Sequence, residues 1–269
     1  DVGSIPFPFA REVTIPRGII GTHAIAGWEA GWASQLVWVG DDFVVYRLDG
    51  YTRVPISTDD VSRDIQKAVT AGSRDLVDAY VYMYGKNAFW AVTVKDAFTW
   101  EYNLTTGEWN ERQSYNKASW KGSKSVRMFD RWIIGDYYTG ELYQISGTYF
   151  KEGLDPLIWH VESGVVGGFP AGTVIPKSSF YITAGVGDFS EVPEPRVEIS
   201  WSLNGGASYG ESVLRKLGGP GRYNSHPYIL NSGLSKGQGI RYRLRVSDAA
   251  HVGLSGGVVV DPEPRGFAG

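Results

Sequence analysis

A seven-residue stretch, Val45-Tyr46-Arg47-Leu48-Asp49-Gly50-Tyr51, has two related copies further along the chain, at residues 101–109 and 142–149. In every copy a tyrosine stands two positions before an aliphatic residue, so both side chains point to one face of a strand. The intervals between the three tyrosines are 56 and 41 residues. A repeat of roughly 40–45 residues built from short strands is the period of a β-propeller blade. The sequence therefore predicts an all-β fold containing β-propeller blades, with Tyr46, Tyr102 and Tyr143 at equivalent positions of successive four-stranded sheets.

An inserted helix near residues 58–71 accounts for the longer first interval. A hydroxyl residue, Thr58, precedes the carboxylates of Asp59 and Asp60, which is typical of a helix N-terminus. Apolar residues then recur at helical spacing, as Val61, Ile65, Ala68 and Val69. Without this helix the two intervals would be nearly equal.

The repeat and the later strand patterns divide the chain into two predicted domains. Blades are expected over residues 1–190, and three copies are fewer than the roughly four to eight blades that close a propeller. Two prolines, Pro193 and Pro195, mark a boundary. Alternating strands at 197–202 and 240–246 then predict a C-terminal β-sandwich-like module over 191–262, with a loose tail at 263–269.

Composition excludes several classes of function. The 269 residues carry a formal net charge of −3, so no overall basic field indicates a nucleic-acid binder. The absence of cysteine excludes disulfides, thiol nucleophiles and zinc ribbons. No apolar run approaches the ~20 residues of a membrane-spanning helix. The chain begins at Asp1 and not at methionine, which predicts a processed protein or a piece of a longer one.

Residues 202–209, Ser-Leu-Asn-Gly-Gly-Ala-Ser-Tyr, are close to the Asp-box pattern of sialidases. The pattern predicts a hairpin in which an Asn or Asp side chain binds turn amides and glycines adopt positive φ. Sugar hydrolysis is the functional interpretation, and a purely structural turn is favoured over it. The four histidines are scattered and the carboxylate pairs fall in turns or at a helix start. We therefore expect no catalytic residue, no cofactor and no metal site.

One strand of the C-terminal module is strongly basic. Arg241, Arg243 and Arg245 alternate with apolar-type residues, which places three guanidinium groups on one face of a strand. A solvated outer face is one interpretation. The other is an interface with an acidic neighbouring subunit or with a DNA backbone.

Several segments, in this order, resemble the packaged-DNA stabilisation proteins, or tail hub (nozzle) proteins, of short-tailed phages. The resemblance spans roughly residues 35–260 and rests on residues 45–51 with 56–58, and on 109–112, 134–137, 140–143, 185–187, 199–202, 205–206, 217–218, 221–223 and 242–248. Two departures occur: Asn204 stands where an acidic turn residue is expected, and residues 225–229 replace an arginine-rich strand.

The resemblance implies a structural, non-enzymatic virion protein that forms a ring, a hexamer in this family, below the portal and its adaptor. The implied partners are further copies of the chain, the portal–adaptor protein, tail spike, fibre or needle proteins, and DNA passing through the channel without sequence recognition. No membrane partner is implied, and assembly would take place in the cytoplasm of the bacterial host. This is the leading expectation. The alternative is a glycan-binding or glycoside-processing β-propeller protein, which is favoured by the aromatic content and the Asp-box-like hairpin.

Overall fold

The structure, a computed structural model, describes residues 13–32, 35–71, 74–185, 187, 192–260 and 263–265. The chain forms two compact units, Asp1–Gly147 and Thr148–Gly269. Nearly all of the regular structure described is β, as the sequence predicts, and the strands make small antiparallel sheets. No described helix has the length and apolar character needed to cross a membrane.

Sheets built from consecutive strands make up the first unit. Their strand orders are β1-β2-β3-β4, β5-β6-β7-β8 and β11-β10-β9. The strands are β1 (Ile25–Ala26), β2 (Val37–Val39), β3 (Val45–Asp49), β4 (Thr52–Pro55), β5 (Val77–Tyr84), β6 (Asn87–Val94), β7 (Phe98–Asn103), β8 (Glu108–Glu111), β9 (Gly122–Met128), β10 (Arg131–Asp136) and β11 (Leu142–Gln144). Each sheet is an up-and-down antiparallel meander, which is the construction of a propeller blade.

The three repeated tyrosines occupy matching strands. Tyr46 lies in β3, Tyr102 in β7 and Tyr143 in β11, each the third strand of its sheet in chain order. Tyr46 pairs across the ladder with Trp38 and Tyr102 with Trp90. The predicted equivalence is confirmed, although the third sheet has three described strands and not four.

The predicted insertion is present as α1 (Asp59–Ala71), followed by a short 3-10 helix at Arg74–Leu76. The Thr58 hydroxyl oxygen accepts a hydrogen bond from the Val61 amide at 3.4 Å, so it caps the first turn. Val61, Ile65 and Val69 are buried in the same core as the sheets. An apolar stripe thus fixes the helix against the first unit.

The second unit contains β12 (Lys151–Glu152), β13 (Asp155–Pro156), β14 (Trp159–Glu162), β15 (Gly172–Val174), β16 (Lys177–Ile182), β17 (Arg196–Ser202), β18 (Val213–Lys216), β19 (Tyr228–Leu230), β20 (Leu234–Ser235), β21 (Arg241–Val246), β22 (Leu254–Val260) and β23 (Glu263–Arg265). Two larger sheets have the orders β14-β21-β17-β18 and β19-β16-β22. Smaller sheets are formed by β12-β13 and by β20-β15-β23.

The inner faces of the two larger sheets share one hydrophobic core, as in a β-sandwich. Phe180 and Ile182 come from one sheet, and Ile199 and Leu244 come from the other. Tyr242 is also buried in this core, and its hydroxyl is hydrogen-bonded to Ser178 and, at 2.7 Å, to Ser232. Those two partners satisfy a polar group that would otherwise be costly to bury.

The sandwich begins earlier in the chain than residues 191–262. The structure divides its units after Gly147, because β14 pairs with β21 and β16 pairs with both β19 and β22. Residues 148–190, predicted to belong to the blades, therefore supply an edge strand to one sheet and the central strand to the other. Of the predicted tail, residues 263–265 form β23, and 266–269 lie outside the described residues.

Candidate functional site

The Asp-box-like hairpin, residues 202–209, lies between β17 and β18, and its polar side chains stabilise its own turn by hydrogen bonds. Asn204 Oδ1 accepts a hydrogen bond from the Ser208 amide at 2.9 Å, and Ser202 Oγ accepts one from the Gly206 amide at 2.8 Å. Gly205 and Gly206 have φ values of 69° and 104°, a region that side chains disfavour. The predicted structural role of the pattern is therefore confirmed.

A groove of about 740 Å³ lies beside this hairpin, within the second unit. Two aromatic residues, Trp201 and Tyr209, line it together with aliphatic side chains. Its polar lining combines a carboxylate, an ammonium group and two amides, from Glu211, Lys236, Asn204 and Gln238. The volume falls in the range of small-molecule sites, ~300–1,000 Å³.

Both aromatic walls are held in place by hydrogen bonds outside the groove. The Trp201 indole N–H donates to the Ser232 carbonyl oxygen at 2.6 Å. The Tyr209 hydroxyl donates to Glu162 Oε2 at 3.0 Å, which ties the hairpin to β14. The two rings are therefore positioned before any ligand arrives, which reduces the entropy lost on binding.

The basic strand lies against one of these walls. The guanidinium of Arg243 is 3.6 Å from the centre of the Tyr209 ring, and its Nε donates to Glu162 Oε1 at 2.7 Å. Arg245 pairs with Glu198 at 3.3 Å on the strand at the other side, β17. The Nε of Arg241 is buried without a hydrogen-bond partner among the described residues.

All three arginines project from one face of β21, since Tyr242, Leu244 and Val246 alternate with them and are buried. The prediction of a single basic face is thus confirmed. Two of its members, however, already have acidic partners within the chain. The interface with a neighbouring subunit or DNA stays a prediction.

Glu162 is held in its ionised form. Burial is the largest single influence on its pKa and opposes ionisation, but the hydrogen bonds from Arg243 and Tyr209, together with the charges of Arg243 and His160, lower the pKa of Glu162 overall. The pKa of Tyr209 is raised, first by burial and then by its hydrogen bond to Glu162. Tyr209 therefore remains a neutral donor and Glu162 an anionic acceptor at neutral pH, and Glu162 is not arranged as a general acid.

A second polar cluster lies in the first unit, under the loop that follows β8. The Glu101 side chain is 8% exposed, accepts a hydrogen bond from Tyr82 at 2.5 Å and pairs with Arg112 at 3.1 Å. The Arg112 guanidinium lies 3.7 Å from the centre of the Trp120 ring. Burial raises the pKa of Tyr82 strongly, and the neighbouring Glu101 charge adds to this. These contacts fasten the loop to the sheet and leave little of the carboxylate accessible.

Most families of glycoside hydrolases use two carboxyl groups, about 5–10 Å apart, around the scissile bond. Among the described residues that line the groove, Glu211 has the one carboxylate. No group of three His, Asp or Glu side chains suited to a metal ion occurs within the described residues.

Sequence reasoning reached part of this site. The Asp-box-like pattern ends at Tyr209, so it contained one wall of the groove, although a structural turn was favoured for it over a role in sugar hydrolysis. Trp201, in the strand before it, was not singled out. Glu162 and Lys236 carried no local signal, because pairing between distant strands brings them to the hairpin.

A comparison with solved structures finds similarity to an exo-β-1,3-galactanase from Phanerochaete chrysosporium, in complex with galactose. The match covers 84% of this chain and 65% of the enzyme's chain, with 12% sequence identity and a TM-score of 0.23. The chain thus spans slightly less than two thirds of that enzyme's length. No family model and no curated protein matches the chain.

The leading expectation, a non-enzymatic phage tail hub, is corrected at this point. Neither a family model nor a curated protein connects the chain with tail proteins, and the similar solved structure reported above is that of a glycoside hydrolase. The tail role and the expected lack of enzymatic activity are both withdrawn. A structural match with a TM-score of 0.23 does not show that this chain has the enzyme's activity, so the function of the chain has to be argued from the groove.

Proposed function

We propose that the chain is a glycan-binding protein whose second unit holds a short oligosaccharide in the groove beside the 202–209 hairpin. The observation that carries this proposal is the pair of anchored rings, Trp201 and Tyr209, in a groove that also presents Glu211, Lys236 and amide side chains. This combination matches the two kinds of surface that a sugar has.

A sugar ring has an apolar C–H face and a rim of hydroxyl groups. The apolar face packs well on an aromatic ring, and the hydroxyls need donors and acceptors at fixed positions. Here the carboxylate of Glu211 accepts, Lys236 donates, and the amides of Asn204 and Gln238 offer both. One wall ring is already stacked against Arg243, so its opposite face is the one left for a ligand.

The test is isothermal titration of the full chain with a panel of neutral oligosaccharides of two to four units. We expect binding by at least one of them, weakened about tenfold or more, ~1.4 kcal/mol, by Tyr209→Ala. The matched control is Tyr223→Ala, because Tyr223 is 70% exposed in the same unit and does not line the groove. Affinity should be unchanged in this control.

Two outcomes would overturn the proposal. One is the absence of binding across the panel at millimolar concentrations. The other is an equal loss in both tyrosine variants. The same samples are also assayed for reducing ends, and a release that Glu211→Gln abolishes would make hydrolysis, and not binding alone, the function of the groove.

A further inference from the structure

The third sheet of the first unit stops one strand short of the other two. In the first two sheets the third strand, β3 or β7, pairs on its far side with a fourth strand, β4 or β8. β11 is the third strand of its own sheet, and no strand within the described residues pairs with its far side. The outer edge of this sheet is therefore a row of backbone groups open to pairing.

The hydrogen bonds of β11 show which of its residues form that open edge. The Ile145 amide donates to the Trp132 carbonyl oxygen at 3.0 Å, and the Glu141 carbonyl oxygen accepts from the last amide of β10 at 2.9 Å. Because successive residues of an antiparallel strand direct their backbone groups to opposite sides, those of Leu142 and Gln144 point away from β10. Both residues are exposed, and Leu142 is 72% exposed.

The other two outer edges carry residues that discourage pairing, and β11 does not. β4 contains Arg53 and ends at Pro55, and β8 begins and ends with glutamate, at Glu108 and Glu111. Charged residues and proline on an edge strand block edge-to-edge association. The sequence of β11, Leu-Tyr-Gln, contains neither. The edge that lacks a fourth strand is thus also the one without this protection.

We infer that β11 pairs with β11 of a second copy of the chain, in an antiparallel ladder centred on Tyr143. Leu142 then lies opposite Gln144 of the second copy, and Gln144 lies opposite the second copy's Leu142. Because both residues direct their backbone groups outward, every one of these N–H and C=O groups gains a partner. The two three-stranded sheets become one continuous sheet with two-fold symmetry, the commonest symmetry of protein oligomers.

The side chains of β11 select a second copy as the occupant. In the second sheet, Trp109 of the fourth strand lies directly opposite Tyr102, with ring centres 5.0 Å apart. Tyr143 is the equivalent of Tyr102, and in the proposed ladder Tyr143 of the second copy takes the place of Trp109. Such aromatic pairs across a ladder stabilise sheets. The nearest acidic residue, Glu141, faces Ile145 of the second copy, so no like charges oppose each other.

The first experiment is sedimentation velocity of the full chain over about a hundredfold range of concentration, where we expect a monomer–dimer equilibrium. Gln144→Pro removes an outward N–H that β10 does not use, so the dimer Kd should rise about tenfold or more. Gln144→Ala keeps this N–H and is its control. Leu142→Lys should also weaken the dimer, whereas Leu154→Lys should not, since Leu154 is 99% exposed at the tip of the β12–β13 hairpin.

A second experiment tests the register by disulfide formation, which the absence of cysteine from the chain makes unambiguous. Leu142 and Gln144 of opposite copies form a hydrogen-bonded pair, whose Cα atoms are about 5.5 Å apart, within the reach of a disulfide. A mixture of Leu142→Cys and Gln144→Cys chains should therefore form disulfide-linked dimers on mild oxidation. Either variant alone should form far fewer, because identical positions are diagonal neighbours about 7–8 Å apart.

Three results would overturn the inference. The chain sediments as a monomer at every concentration, the Gln144→Pro protein dimerises as tightly as Gln144→Ala, or each cysteine variant alone forms disulfide-linked dimers as fast as the mixture. Circular dichroism monitors the folding of each variant. If Gln144→Pro does not fold, the cysteine mixture still decides, because its two substitutions lie at exposed positions.

Discussion

The guanidinium carbon of Arg243 lies 3.6 Å from the centre of the Tyr209 ring. The Tyr209 hydroxyl and the Arg243 guanidinium both donate hydrogen bonds to the same carboxylate, that of Glu162. The three side chains come from β21, the hairpin and β14. The Tyr209 ring, one wall of the candidate groove, is thus held in place by the ion pair of Arg243 and Glu162, which lie on adjacent strands. This support is what the basic strand contributes within the chain.

Arg243→Gln should weaken oligosaccharide binding in the groove about fivefold, because a partly exposed cation–π contact contributes ~1 kcal/mol. Arg245→Gln is the matched control, since Arg245 pairs with Glu198 on the other side of β21. Titration of both variants measures the difference. Equal affinities in the two would show that Arg243 does not position Tyr209.

The contribution of Glu162 to stability should be lost in acid. Its folded-state pKa is lowered, so its stabilising contacts are fully present above the unfolded-state pKa, about 4.3, and disappear as the pH falls through the folded-state value. The Tm of the unmodified chain should therefore exceed that of Glu162→Gln at pH 6, and the gap should close once the pH is below the lowered folded-state pKa of Glu162. Thermal unfolding across this range provides the measurement, and a gap that persists in acid would contradict the assignment.

Tyr242→Phe should lower the free energy of unfolding of the second unit by ~1–2 kcal/mol, because it leaves the Ser178 and Ser232 hydroxyls buried without their shared partner. Tyr181→Phe is the control, since this ring lies on the outer face of the sheet, and it should change stability by less than ~0.5 kcal/mol. Urea denaturation of both variants tests this. A stable Tyr242→Phe protein would mean that water replaces the lost hydroxyl.

Arg112→Met should destabilise the first unit by ~3 kcal/mol, because the Glu101 carboxylate stays buried without its cation. The double variant Glu101→Gln with Arg112→Met should recover a large part of this loss, since no charge then remains buried. Denaturant unfolding followed by tryptophan fluorescence measures both. Additive losses in the double variant would show that the two side chains do not act as a pair.

The local parts of the fold could be predicted from the sequence. The stripe of Val61, Ile65 and Val69 indicated the helix, and the tyrosine spacing indicated three sheets of similar construction. Both signals are short in range, because side-chain periodicity within one element decides which face is buried. The single basic face of β21 followed from the same alternation.

The parts that failed depend on pairing between distant segments. Few acidic residues lie near the arginines of β21 along the chain, where Asp248 is the nearest. In the folded sheet, Glu162 and Glu198 lie directly beside Arg243 and Arg245, because β14 and β17 flank β21. The spacing of residues within one strand does not reveal which distant strand pairs with it. The start of the sandwich was placed too late in the chain for the same reason, because β14 and β16 join it through pairing with distant strands.

The position of β16 at the centre of its sheet has a consequence for synthesis on the ribosome. About 70 residues separate the end of β16, Ile182, from the start of β22, Leu254. At a synthesis rate of roughly 5–20 residues per second, β22 is made several seconds after β16. The sheets of the first unit, made from consecutive strands, can close as they leave the exit tunnel. The nascent second unit instead presents an unpaired strand edge, and this interval is when it is most exposed to chaperones and to aggregation.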